Sequence, residues 1–191
     1  MAAVVALSNV LVQYPVHGTI GAVSLADILT YGAFTYPLAF LVTDLTNRHF
    51  GPARARQLAL VGFAIAVALS VLLASPRIAL ASGTAFLLAQ LLDVSLFNRL
   101  RDGAWWRAPL VSSVIASSLD TAVFFSLAFS AAIPFAVDGF ATEVTPLFGL
   151  GGAAEAPRWV SWAIADFAVK TLVAFAALAP YRLMAGAPRP A

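Results

Sequence analysis

Six apolar runs fill most of this chain, at about residues 2–16, 25–47, 57–74, 78–97, 109–133 and 158–181, and they leave few architectures open. A helix needs roughly 20 apolar residues to cross a hydrocarbon core, and all the runs but the first approach that length. The run at 2–16 is short; it either tilts little or gains length from a start site upstream of Met1. Lipid offers no partner to an exposed backbone N–H or C=O, so spanning segments must be helices that satisfy themselves. With 61% hydrophobic and 10% charged residues, against about 25% charged in an average soluble domain, residues 1–191 are expected to form one all-α transmembrane domain. Its expected form is a bundle of six transmembrane helices.

The arginines set the expected topology. Every basic residue but Lys170 is an arginine, and most lie between the runs. Arg48, Arg54 and Arg56 follow the second run, Arg99, Arg101 and Arg107 the fourth, and Arg182 and Arg189 the sixth. Residues 16–24 carry no Lys or Arg, the third-to-fourth hairpin has Arg77, and 134–157 ends on Arg158. Basic loops mark the cytoplasmic side. Both termini are therefore expected inside, and 134–157 is expected to be a polar external loop. The Trp105–Trp106 pair suits a headgroup boundary. MAAVVALSNVLV has no basic n-region and reads as a first span, not a signal peptide. A net charge of +2 gives no reason to expect nucleic acid as a partner, and the absence of cysteine excludes thiolate chemistry and disulfides. The chain carries no H-E-x-x-H, Cys–His cluster, P-loop or dinucleotide fingerprint. The reading is therefore non-enzymatic, with no cofactor. His17 and His49 lie in or beside loops and read as surface residues.

Polar residues inside the apolar runs carry the functional information. In Tyr31–Gly51, Pro37 cannot donate a backbone hydrogen bond, so the helix is expected to kink near Tyr36. Pro37, Phe40, Asp44 and Asn47 fall on one face. In the fourth run Phe86, Gln90, Asp93 and Phe97 share a face, and Asn98 and Arg99 close it. Asp93 either pairs with a nearby arginine at the interface or belongs to a substrate path. Asp120 lies about 16 Å beyond Pro109 at 1.5 Å per residue, near the midplane, and shares a face with Ser113, Ser117 and Phe124. Asp166 and Lys170 stand at i and i+4, with the acid N-terminal. Unpaired charge at that depth is costly, so Asp120, Asp166 and Lys170 are expected to face one another or water in one midplane cavity. Asp44, Asn47, Asn98 and Pro37 are expected to serve a cytoplasmic gate that swings about the kink.

FLVTDLTNRHFG with its following arginines, AQLLDVSLFNRLR, the Trp pair, SSLDTAVFF and DFAVK resemble the queuosine-precursor transporters, a group also described as a vitamin uptake family. The resemblance runs from about Ser8 to Tyr181 with order and spacing kept; the long loop before Trp159 and the abrupt N-terminus depart from it. It implies a multi-pass importer in the cell inner membrane for 7-deazaguanine precursors, notably 7-cyano-7-deazaguanine and its aminomethyl counterpart. The chemistry suits such a ligand. A deazaguanine presents a ring N–H beside an exocyclic amine, and one carboxylate, Asp120 or Asp93, can accept from both. Gln90, Asn47 or Asn98 can meet the carbonyl or cyano group, and Phe40, Phe97 and Phe124 offer faces for stacking, worth about 1–3 kcal/mol per base elsewhere. Which carboxylate reads the ligand and which balances Lys170 stays open. The alternative is a substrate-capturing membrane subunit of an energy-coupling vitamin transporter, which would not transport alone.

Overall fold

In chain order the helices of the computed structural model are α1 (Ala2–Leu11), α2 (Gly32–Thr35), α3 (Leu38–Phe50), α4 (Pro52–Leu73), α5 (Pro76–Leu100), α6 (Arg107–Phe129), α7 (Gly139–Thr142) and α8 (Arg158–Met184). Two small antiparallel hairpins join them: β1 (Thr19–Ile20) with β2 (Val23–Ser24), and β3 (Val144–Pro146) with β4 (Glu155–Pro157). The structure describes residues 1–73, 75–132 and 139–186. Ala74, the expected fifth-run end at Ile133, the first part of the external loop with Asp138, and Arg189 lie outside the described residues.

Proline, serine and glycine set the helix ends. Ser75 caps α5 by accepting from the Ile78 N–H, and Pro76 occupies the first turn, where no N–H is required. Gly51, at φ 83°, ends α3 and lets Pro52 open α4 at once. Pro37 divides α2 from α3 at Tyr36–Pro37, because its ring nitrogen cannot continue the hydrogen-bond ladder.

Among the described residues four helices, α4, α5, α6 and α8, are long and apolar enough to cross a membrane. The second run differs most from its expected bounds. Helix was expected from Leu25; Leu25–Asp27 is instead a single 3-10 turn, and the helix starts at Gly32. The cause is a backbone alternative. Val16 N–H donates to Leu29 O at 3.0 Å and Tyr31 N–H to Tyr14 O at 3.0 Å, so the chain pairs with itself across the β1–β2 hairpin. Gly32 is required at that point, since a Cβ there would meet the Val12 Cα at 2.9 Å. α1 likewise stops at Leu11 instead of 16, where Gln13 and Tyr14 N–H turn back to Val10 and Leu11.

Small residues let the central helices approach closely. α5 buries Ala79, Ala81, Gly83, Ala85 and Ala89 against its neighbours, and α6 buries Ser112, Ser113, Ala116 and Ser117. Val5, Ala39, Ala66 and Phe86 close one core cluster, and Phe97, Ala108 and Tyr181 another. Leu60, Val61 and Leu72 of α4 and Leu172, Phe175 and Leu183 of α8 are exposed, an apolar exterior suited to lipid. The arginine-bearing segments meet at one end. Arg48 donates to Arg101 O at 3.1 Å, and the Arg182 guanidinium lies 4.8 Å from the Trp105 ring centre. The opposite end starts α5 and ends α6, tied by Arg77 donating to Leu127 O and Ser130 O at 2.8 and 2.7 Å.

Candidate functional site

The four-residue spacing of α8 places Arg158, Trp162, Asp166 and Lys170 along one line, and all four line the same cavity. The cavity measures about 600 Å³, within the roughly 300–1,000 Å³ usual for small-molecule sites. α1 contributes Ser8 and Asn9, α2 with its following residue contributes Ala33 and Tyr36, and α6 contributes Asp120, Phe124, Phe125 and Phe129. The cavity reaches the loop residues Ala26–Thr30, at the end of the bundle away from Arg48 and Arg101.

Lys170 organises its inner wall. The ammonium donates to Asp120 Oδ2 at 2.7 Å and to Thr121 Oγ1 at 3.3 Å, and pairs with Asp166 Oδ2 at 2.5 Å. All three ammonium protons therefore have acceptors. Thr121 passes its own proton to Asp166 Oδ2 at 2.8 Å, and the Tyr36 hydroxyl donates to Asp120 Oδ1 at 3.2 Å. Burying these charges is tolerable because the network is nearly closed. Asp120 and Asp166 nevertheless differ. Both oxygens of Asp120 are engaged and its side chain is 4% exposed, whereas that of Asp166 is 16% exposed and makes its recorded contacts through Oδ2 alone. Phe124, Phe129 and Trp162 are half-buried along the aromatic wall, with Phe129 and Trp162 edge to face at 5.4 Å.

A second polar group sits toward the arginine end, between α3, α5 and α6. Asp44, Asn47, Gln90 and Asp93 are at most 1% exposed. The Asp44 and Asp93 carboxyls are in hydrogen-bond reach of each other, with Ser112 beside Asp93. Ser113 donates to Asp44 Oδ2 at 3.4 Å. Asn47 Nδ2 donates to Val94 O at 3.0 Å, and the Thr43 hydroxyl meets the Gln90 side-chain oxygen at 2.6 Å. Around them the helix ends are clamped. Arg101 donates to Asn47 O and Arg48 O at 3.5 and 3.3 Å, Asn98 accepts from Arg101 at 3.4 Å, and the His49 ring meets Met184 O at 3.0 Å.

The structure thus brings Asp120, Asp166, Lys170 and Phe124 together on one cavity, and separates Asp93, Gln90 and Phe97 from it. Asp93 and Gln90 join Asp44 and Asn47, and Phe97 packs on Tyr181 with ring centres 6.2 Å apart. The arginine partner weighed for Asp93 is not found; no described cation pairs with it. Tyr36, Asn9 and Trp162 were not singled out from the sequence. Trp162 was legible there, four residues before Asp166. Tyr36 and Asn9 gave no such signal, since their roles depend on which helix they meet.

The family model described as putative vitamin uptake transporter matches residues 30–75 and 68–184, which include both polar groups. A Haemophilus influenzae protein described as a probable queuosine precursor transporter is 37% identical over 166 residues, covering 72% of this chain and 71% of its own length. The Escherichia coli queuosine precursor transporter is 32% identical over 198 residues, covering 93% of this chain and 79% of its own. No solved structure matches the chain.

Proposed function

This chain belongs to the family of queuosine precursor transporters, described also as putative vitamin uptake transporters, and from that premise we propose that it imports 7-cyano-7-deazaguanine and related 7-deazaguanines across the cell inner membrane. The observation that carries the substrate reading is the Lys170-anchored carboxylate pair on the wall of an aromatic-lined cavity. The guanine edge of the ligand offers a ring N–H and an amine side by side, and a carboxylate accepts both in one plane. Asp166 is assigned that role, because it lines the cavity and its Oδ1, clear of the Lys170 and Thr121 contacts that occupy Oδ2, has two lone pairs to accept from both groups. Asp120 holds Lys170 in place, and Tyr36 holds Asp120. Phe124 and Trp162 supply faces for the bicyclic ring. Asn9, on the same cavity, has an amide proton beyond the one given to Val5 O, suited to the ligand carbonyl.

The same proposal orients the molecule. With six crossings, α2–α3 counted as one broken crossing, all arginine-rich segments fall in the cytoplasm together with both termini. The cavity then belongs to the outward half. Asn47, Arg48, Asn98 and Arg101 close the inward half, with Asp44 and Asp93 behind them. That is an outward-facing state of an alternating-access cycle, with Pro37 as the hinge. A cysteine at position 103 is expected to resist an impermeant external thiol reagent in intact cells; strong labelling there would refute the orientation.

The deciding test is uptake of labelled 7-cyano-7-deazaguanine by cells unable to make it. Uptake should appear with the gene and vanish with Asp166→Asn. The purified chain alone in proteoliposomes should also transport. Binding without transport would instead identify a capturing subunit that needs an energy-coupling partner.

A further inference from the structure

We propose that Asp44 and Asp93 form a proton-binding site, connected to the substrate cavity by the hydroxyls of Ser113 and Ser117, and that a proton bound there accompanies uptake; the coupling half rests on the transport reading above. Asp44 and Asp93 lie on different helices, buried, with their carboxyls in reach of each other. Neither has an ion-pair partner among the described residues. Asp44 Oδ1 and both oxygens of Asp93 make no hydrogen bond to another group among the described residues that meets ordinary geometry. Two ionised carboxylates placed so would repel and would leave those oxygens bare. One proton shared between them removes the repulsion and supplies the missing donor.

The surrounding groups do not substitute for that proton. On α3 and just past the end of α5, Arg48 and Arg101 are spent on backbone carbonyls. On α6 the neighbours are the neutral Ser112 and Ser113, and on α8 the titratable group within electrostatic range of Asp44 is Tyr181. A metal ion is a poor occupant, since among the described residues no third carboxylate or imidazole joins the pair to complete a ligand set. The crevice beside Asp44, Ser113 and Ser117 measures about 10 Å³, the size of a single water.

α6 supplies the route. Ser113, Ser117 and Asp120 recur at four and three residues, so they form one ladder along the helix. Asp120 is at the cavity, Ser113 is on Asp44, and Ser117 between them is 1% exposed with its hydroxyl unpartnered. A hydroxyl both donates and accepts, so with one water in the crevice the ladder passes a proton from cavity water to the carboxyl pair. The broken α2–α3 helix links the events. Tyr36 at one side of Pro37 holds Asp120, and Asp44 at the other meets Asp93. A swing about Pro37 that opens the arginine end parts Asp44 from Asp93 and releases the proton there.

Two measurements test this. Infrared spectra of the purified full chain at neutral pH should contain a protonated-carboxyl C=O band that Asp93→Asn removes. Absence of that band overturns the proton site whether or not the protein transports anything. In proteoliposomes given 7-cyano-7-deazaguanine, substrate entry should carry protons inward, read by a pH-sensitive dye, and an outside-acid gradient should accelerate it. Asp93→Asn should lose the proton flux and still exchange labelled for unlabelled substrate, more slowly. Ser117→Ala, a milder change, should keep the infrared band and slow the coupled flux. Uptake without proton movement, or uptake that follows a sodium gradient instead, overturns the coupling. Failure of the wild-type chain to transport this substrate at all counts against the transport reading and leaves the infrared result to decide the proton site.

Discussion

Midway along α6 and α8, Asp120 and Asp166 share the Lys170 ammonium beside a cavity of about 600 Å³. Toward the arginine end, Asp44 and Asp93 lie beside each other with no cation paired to them among the described residues, and the crevice next to Asp44 measures about 10 Å³. Both groups place two carboxylates where lipid surrounds the protein, yet they balance the charge differently. Lys170 fixes the first group through Oδ2 of Asp166, a residue that lines the cavity, and leaves its Oδ1 without a partner among the described residues. That group can take a sizeable polar ligand without rebuilding itself. The second group has no room for such a ligand and no counter-ion, so the smallest cation available is the one that suits it. Cation-balanced acids beside space therefore point to substrate, and unbalanced acids without space point to a proton.

The largest expected break in this comparison is Lys170→Met. It turns the cavity group into a second unbalanced acid pair, and removing one partner of a buried ion network costs about 3–5 kcal/mol. Extraction in detergent followed by size-exclusion chromatography should give a sharply reduced monodisperse yield, with transport lost. Adding Asp120→Asn to that variant should recover part of the yield.

Asp166→Asn should come next. It keeps the size and removes the carboxylate that reads the guanine edge, so substrate affinity should fall by roughly 1–3 kcal/mol, about five- to 150-fold, at near-normal yield. Quenching of the fluorescence of Trp162, which lines the cavity, offers a direct readout once the other tryptophans are replaced. If Asp120→Asn abolishes binding while Asp166→Asn spares it, the two acids have exchanged roles.

At the other group, Asp44→Asn should slow turnover by about tenfold, roughly one hydrogen bond's worth, while changing affinity less. Loss of binding with turnover of bound substrate intact would move Asp44 from the gate into the ligand site. The smallest expected effect is Phe124→Leu, which keeps an apolar wall and removes a ring face, for a loss of about 0.5–1.5 kcal/mol in affinity.

Several features of this comparison are written locally. Lys170 four residues after Asp166, Asp120 deep in its helix, and Ser113, Ser117 and Asp120 on one face all follow from helical spacing. The hinge at Pro37 follows from a missing N–H. By contrast, helical spacing put Asp120 near the midplane and Asp93 near the arginines but left both open as the carboxylate that reads the ligand. Each is a carboxylate on an apolar helix with serines or amides nearby, and the sequence reading gave both the same candidate role. Which one meets Lys170 is set by α6 packing on α8, and which one meets Asp44 by α5 packing on α3.

The sequence by itself determined a helical membrane protein, the proline break, the arginine segments and the polar faces, because hydropathy, periodicity and backbone chemistry act over a few neighbouring residues. Only the tertiary structure decided that Tyr36 reaches Asp120, that residues 25–31 form a 3-10 turn and a bridge back to Tyr14–Val16 instead of lengthening a helix, and that the buried acids divide into two groups. Those outcomes depend on contacts between residues far apart in the chain, such as Tyr36 with Asp120 and Asp120 with Lys170. Helical spacing shows which face a side chain occupies, and packing alone selects what that face meets.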